Sequence, residues 1–232
     1  MKTKHFYFLL IFLSACGSKI TINTETYNLK GNVKMFSDTQ IQCIYNDKWE
    51  VEIDTRFMNA TSFVNNQFFD EDGKWIKGCL NSTKGTTYFN TEVLYDEKGN
   101  YAGTIDKDTN GNVLSENKVT KISKNEINVK TFYSSREASN TSSFYKRGLL
   151  EKQITKQVDG SETTEQTYIR DKDGNENEIE TKTIVNGNVI STEKLKVKVL
   201  EKDSRNNWTS QAYYFIGTNN CILLKRKIEY YD

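Results

Sequence analysis

Apolar and polar residues alternate along most of the chain, in short stretches separated by turn-forming residues. In the stretch 88–95, Phe89, Val93 and Tyr95 share one face, while Asn90 and Glu92 share the other. Period-two alternation between Asn-Gly and Asp-x-x-Gly groups is typical of β-hairpins. The pattern therefore predicts an all-β chain, a long antiparallel β-meander of about 14 to 16 strands.

The turns recur in two parallel series. One series consists of four-residue groups that end at positions 73, 99, 148, 174 and 206, and a second series ends at 85, 111, 160, 187 and 220. The spacing indicates tandem hairpins of about 26 residues each. Groups such as YDEKGN at 95–100 need no ligand to explain them, because Asp caps turn amides and Gly accepts a positive φ.

A family resemblance accompanies this repeat. Tyr95-Asp96 followed by Gly99-Asn100, together with Asn207-Trp208-Thr209 and the final KRKIEYYD, resembles small Bacteroidetes-type lipoproteins with YD-repeat (RHS-like) β repeats. The resemblance covers residues 68–232, and only one full YD-x-x-GN motif is present. It implies a curved single-layer sheet or an RHS-like spiral, and it implies architecture rather than activity.

The N-terminal sequence is typical of an export signal peptide. Lys2 and Lys4 precede the apolar run FYFLLIFLSA, which is too short to span a bilayer, and Leu13-Ser14-Ala15-Cys16 resembles the bacterial lipobox. We expect a signal peptide at 1–15, a lipidated tether at 16–26 that begins at Cys16, and one β-repeat domain at 27–232. The expected location is the outer membrane, with the membrane as a partner through the N-terminal lipid.

Composition narrows the function. Lys and Arg total 32 and Asp and Glu total 31, a balance that argues against nucleic acid as a partner. The single histidine, His5, lies in the expected signal peptide and would be removed with it. The mature chain would then have no histidine, which argues against histidine-based nucleophile systems and zinc sites. We therefore expect a non-enzymatic protein without a cofactor.

Three cysteines would remain beside the lipidated one: Cys43, Cys79 and Cys221. An odd number in an oxidising compartment permits at most one disulfide and a spare thiol. The preferred interpretation is that all three are buried, unpaired thiols.

Equivalent positions of the repeat predict a row of side chains. Two residues past each turn of the first series lie Trp75, Tyr101, Leu150, Glu176 and Trp208. Turned outward, Trp75, Tyr101 and Trp208 would form a ligand platform suited to sugar rings. Turned inward, they would be a cross-strand ladder that holds the sheet together, which is the preferred alternative.

One stretch partly matches a calcium loop. Asp106, Asp108 and Asn110 fit the first, third and fifth positions of an EF-hand loop. The closing carboxylate is missing, because position twelve is Asn117, and Asn110-Gly111 is itself a hairpin signal. The match to a calcium-binding loop is therefore weak, and no metal is expected.

These observations favour a membrane-anchored, non-enzymatic β-repeat lipoprotein that presents a binding surface in the cell envelope. Its partners would be a polysaccharide or an envelope protein. One alternative is a periplasmic carrier of a lipid or other hydrophobic ligand on the curved sheet. A second alternative is a carbohydrate-binding protein or a carboxylate-based glycosidase.

Overall fold

The computed structural model describes residues 23–54, 63–123, 125–146, 149–172 and 174–232. A short 3₁₀ turn at Thr24–Tyr27 precedes fifteen strands. The strands are β1 (Val33–Tyr45), β2 (Val51–Ile53), β3 (Phe63–Phe69), β4 (Trp75–Ser82), β5 (Thr87–Tyr95), β6 (Tyr101–Lys107), β7 (Val113–Ser123), β8 (Glu126–Tyr133), β9 (Arg136–Lys146), β10 (Leu149–Gln157), β11 (Thr163–Arg170), β12 (Glu176–Val185), β13 (Asn188–Lys202), β14 (Trp208–Phe215) and β15 (Asn220–Tyr230).

The sheet closes on itself. Each strand from β3 to β15 pairs antiparallel with the next, and β15 returns to pair with β1 along Val33–Ile44. β2 adds to the end of β1, and the other fourteen strands form a closed barrel. The all-β antiparallel prediction is confirmed, but the curved open sheet or spiral is wrong. Local alternation specifies strands and says nothing about whether the first and last of them meet.

The two series of turns lie at opposite ends of the barrel. In the first series, the amide of Gly73 donates to the carbonyl of Asp70, and Gly99 and Gly174 repeat this bond to Asp96 and Asp171. All three glycines have positive φ. The acidic groups are therefore turn caps in this structure, since the Asp side chains accept amide hydrogen bonds from residues two or four positions later.

A side-chain contact repeats with the same period. The Tyr95 hydroxyl donates to the Trp75 carbonyl at 2.7 Å, and the Arg170 guanidinium donates to the Leu150 carbonyl at 3.2 Å. Each pair is separated by 20 residues, and each joins one hairpin to the preceding one. Two junctions between neighbouring hairpins thus carry a similar contact at corresponding positions.

The N-terminal segment lies across the end that carries the first series of turns. Thr24 donates its amide to the Gly73 carbonyl, and Lys30 exchanges hydrogen bonds with the Asn207 side chain. Between these points, Leu29 is buried and the ring of Tyr27 packs edge-on against Phe36 and Phe69. We call this the plugged end; the end with turns 83–86, 109–112, 134–135, 158–161, 186–187 and 216–219 is the open end.

A disulfide joins the first and last strands. Cys43 and Cys221 face each other across the β1–β15 pair, with Cα atoms 4.8 Å apart, whereas Cys79 is a free thiol. The interpretation as three unpaired thiols is therefore wrong. The pairing follows from closure, because only the β1–β15 register brings residues 178 positions apart into direct opposition.

Candidate functional site

The row of repeat-equivalent residues lies inside the barrel, next to the plugged end. Trp75, Tyr101, Leu150 and Glu176 are buried, and Trp208 is half-buried. A register shift directly after each of these residues accompanies their pairing with Phe69, Tyr95, Tyr145, Arg170 and Lys202. The structure thus places Trp75, Tyr101 and Leu150 in the hydrophobic core and Trp208 against the Arg226 guanidinium.

Two charged pairs lie within this core. The guanidinium of Arg226 forms two hydrogen bonds to the Asp38 carboxylate, at 2.7 and 2.6 Å, and stacks on the rings of Trp208 and Phe36. Glu176 pairs with Arg170 at 3.3 Å. Burial raises the pKa of the Glu176 carboxyl, although Arg170 opposes this effect. Both pairs hold strands together through satisfied, water-poor contacts.

Three buried tyrosines of this core lie next to the polar part of the interior. Burial raises the pKa of Tyr101, Tyr145 and Tyr168, and Tyr145 is close enough to the other two to add to the effect. The Tyr168 hydroxyl bonds Gln166, one step nearer the open end. The hydroxyls of Tyr101 and Tyr145 are buried, and each interacts with one neighbouring hydroxyl side chain without a well-aligned hydrogen bond. We call these three residues the tyrosine floor.

Beyond the floor, neutral polar side chains line most of the inner wall over several consecutive strands, with the Asp106 carboxylate beside them. Asn117 bridges Thr104 and Thr131, at 3.0 and 2.8 Å. Further around the wall, hydrogen bonds join Thr141 to Thr155, Gln153 to Ser143, and Gln166 to Thr181. We call this set the polar belt: Thr104, Asn117, Thr131, Thr141, Ser143, Gln153, Thr155, Gln166 and Thr181.

The polar belt is not completely buried. Thr131, Thr141, Gln153, Thr155 and Gln166 point inward by register, yet each is partly exposed. An inward side chain of a closed barrel is exposed only where the interior contains space. The belt therefore lines a space inside the barrel, which we call the lumen, and the tyrosine floor lies on the side of the plugged end.

The open end carries exposed apolar side chains around its rim. They sit at or beside the hairpin tips, and each is 42% or more exposed: Val113, Leu114, Tyr133, Val158, Val189, Ile190 and Ile216. Exposed apolar groups that cluster at one place on a soluble surface commonly mark an interaction site. The rim thus combines apolar side chains with access to a polar lumen.

The calcium candidate residues do not converge on a common point. The Asp106 carboxylate faces the lumen and accepts hydrogen bonds from Thr91 and Ser115. Asp108 instead caps its own turn through the amides of Asn110 and Asn112. Across the described ranges, no group of three His, Cys, Asp or Glu side chains is placed to hold a metal ion.

Cys16, the predicted lipidation site, lies outside the described residues. Lys194 and Lys196, from a lysine-rich strand face, point outward: Lys194 pairs with Glu180, and Lys196 lies over the ring of Trp49. Within the described ranges, no helix is long and apolar enough to cross a membrane.

Sequence reasoning missed the lumen. The stretch SETTEQTYIR places Thr164, Gln166 and Tyr168 on one face. An inward face is expected to be apolar, and this one is largely polar, so it was not recognised as inward. Its alternation with the other face of the strand is nevertheless visible in the sequence. Tyr27, Asp38 and Arg226 were also missed, since no local pattern brings the two chain ends together.

Comparisons with known proteins give fold-level likenesses only. No family model matches the chain, and no curated protein matches it. A porin-like protein from Bacteroides vulgatus is 12% identical over 87% of this chain and 99% of its own, with a TM-score of 0.48. A porin-like protein from Bacteroides uniformis is 11% identical over 85% of this chain and 96% of its own, with a TM-score of 0.38.

A third likeness involves a much longer chain. The Tc holotoxin pore of Photorhabdus luminescens is 11% identical over 87% of this chain but only 16% of its own, with a TM-score of 0.32. At these identities and TM-scores, the matches assign neither a family nor an activity.

Proposed function

We propose that this protein is a lipid-anchored, non-enzymatic binding protein of the outer membrane, and that its open end presents the binding surface. The observation that carries the proposal is the contrast between the two ends. The plugged end is filled by the N-terminal segment and the aromatic core. The open end has an apolar rim and leads to a polar lumen.

The outer wall suits a barrel that stands in water beside the membrane. Outward-facing charged residues pair across neighbouring strands, as in Glu92–Lys107, Lys130–Glu137 and Lys152–Glu165. The walls of bilayer-spanning barrels are instead apolar in a band around the outside. An apolar outer patch at Cys43, Tyr214 and Cys221 is packed against Trp49. A separate lipid anchor is consistent with such a wall.

The proposed anchor would leave the barrel at the plugged end. Six residues lie between Cys16 and Asn23, so seven Cα-to-Cα steps separate them, and Asn23 pairs with Lys74 at that end. A chain of this length reaches about 25 Å at most. A lipidated Cys16 would therefore hold the plugged end near the bilayer, and the open end would face away from it.

The lumen favours binding over catalysis. The hydrogen-bonding groups of the polar belt are neutral, and neutral amides and hydroxyls do not transfer protons readily near neutral pH. Asp106, a carboxylate next to the belt, already accepts hydrogen bonds from the hydroxyl groups of Thr91 and Ser115.

The orientation can be tested with a lipidated protein in liposomes. On a Cys79→Ser background, Lys98→Cys at the plugged end and Thr109→Cys at the open end are labelled with the same dye. Lipids that carry a quencher on the headgroup should quench the dye at position 98 strongly and the dye at position 109 weakly, because the tether is short.

Cys16→Ser is the matched control, since it should remain an unprocessed precursor. Normal cleavage and release of that variant would refute the anchor. Equal quenching at positions 98 and 109 would refute the orientation while leaving the anchor intact.

A further inference from the structure

We propose that the lumen binds a neutral polyhydroxyl ligand, an uncharged oligosaccharide, between the polar belt and the tyrosine floor. This inference rests on the proposed binding role of the open end and names the ligand class. Three features favour this ligand class: the chemistry of the wall, the buried hydroxyls of the floor, and the room inside the barrel.

The belt presents neutral hydrogen-bond donors and acceptors, and the charged groups beside it are carboxylates: Asp106, and Glu193 opposite Thr181. Hydroxyl groups can act as donor and acceptor, and the belt adds amides of both kinds. An anionic ligand would lose its hydration here and meet these carboxylates, and an aliphatic ligand would displace water from the belt without replacing its hydrogen bonds. A sugar carries hydroxyls that both donate and accept, so it matches the wall.

The floor supplies buried hydroxyls whose hydrogen bonding is incomplete. The hydroxyls of Tyr101 and Tyr145 interact with the belt side chains of Thr104 and Ser143, which lower the two pKa values against the effect of burial, but neither makes a well-aligned hydrogen bond. A buried hydroxyl with an imperfect hydrogen bond is costly. A ligand hydroxyl at the bottom of the lumen would improve the hydrogen bonding of both. Tyrosine rings also present apolar faces on which sugar rings can rest.

The number of strands leaves room inside the barrel. Side chains fill the interior of an eight-stranded barrel or leave room for one small ligand, whereas barrels of sixteen to eighteen strands leave a channel. Fourteen strands lie between these limits. The partial exposure of Gln153, Thr155 and Gln166 shows that this interior is not completely filled.

The test uses the lipidated protein in nanodiscs that are free of sugar-based detergent. An array of neutral linear oligosaccharides, with α- and β-linked glucose, galactose, mannose and xylose, is probed first. Galacturonic acid oligomers and lauric acid serve as the acidic and apolar comparators. Calorimetry on the best neutral ligand then measures the Kd for the wild type and its variants.

Two variants address the floor and the belt. Tyr101→Phe combined with Tyr145→Phe should raise the Kd about tenfold or more with little change in melting temperature, because it removes two hydroxyls that the ligand would contact and that make no well-aligned hydrogen bond within the barrel. Thr155→Val should raise the Kd about threefold to tenfold. The matched control is Thr167→Val, whose side chain points outward from neighbouring β11 and should leave the Kd unchanged.

Several results would overturn the proposal. These are the absence of binding by every neutral oligosaccharide, tighter binding of the acidic oligomers or of lauric acid, and an equal effect of Thr155→Val and Thr167→Val. A fall in melting temperature for the double tyrosine variant, with unchanged binding, would make the hydroxyls structural. Failure here with the expected quenching in liposomes would reject the ligand class and leave the orientation standing.

Discussion

The disulfide across the closing seam of the barrel should contribute a large share of its stability. Cys43 and Cys221 are both buried and lie 178 residues apart, so the bond links nearly the whole described chain into one loop. Breaking it leaves the β1–β15 hydrogen bonds in place but frees the unfolded chain. The perturbation is Cys43→Ala with Cys221→Ala, compared with reduction of the wild type.

The expected size of the effect follows from loop-closure entropy. A loop of 178 residues corresponds to about 17 cal/mol/K of entropy removed from the unfolded chain, or about 5 kcal/mol at 25 °C. With a urea dependence of about 2–3 kcal/mol per molar, the midpoint should fall by about 2 M. The reduced wild type should show nearly the same loss.

The assay is equilibrium urea unfolding with and without dithiothreitol, followed by tryptophan fluorescence. The alanine pair should be insensitive to dithiothreitol, and Cys79→Ser should respond to it as the wild type does, because Cys79 is not part of the bond. A loss of unfolding free energy below about 1 kcal/mol on reduction would refute the reasoning, since disulfides that close even short loops contribute more than that to stability.

Two further predictions concern the core and the turns. Trp75→Ala should cost about 3 kcal/mol or more of unfolding free energy, measured by urea unfolding, because the side chain is buried in the aromatic core; near-native stability would place this residue outside the core. Gly103→Ala should be far more damaging than Gly99→Ala, because a Cβ at 103 would lie 1.9 Å from the Asn117 carbonyl oxygen, whereas at 99 it meets no atom within 4 Å. The second change should cost about 1 kcal/mol for the positive φ alone, and equal melting temperatures of the two variants would contradict this.

Much of the local structure was predictable from the sequence. Alternation and turn chemistry predicted an antiparallel chain of about the right number of strands. The equivalence of Trp75, Tyr101 and Leu150 came from repeat spacing alone, and the structure brings them to one end of the barrel, facing inward. These features rest on interactions between residues close in sequence, which a linear pattern records.

Closure of the barrel depends instead on the accumulated twist and register of all the strands, which no single hairpin specifies. The same closure pairs Cys43 with Cys221, brings Asp38 to Arg226, and places Tyr27 against Phe36 and Phe69. Closure also determines whether the polar face of a strand meets solvent or lines the interior. In an open sheet, the Thr and Gln face of β11 would be its solvent side, because polar faces prefer water. In a closed barrel the same face lines the interior, so only the tertiary structure could show that these polar side chains surround a space.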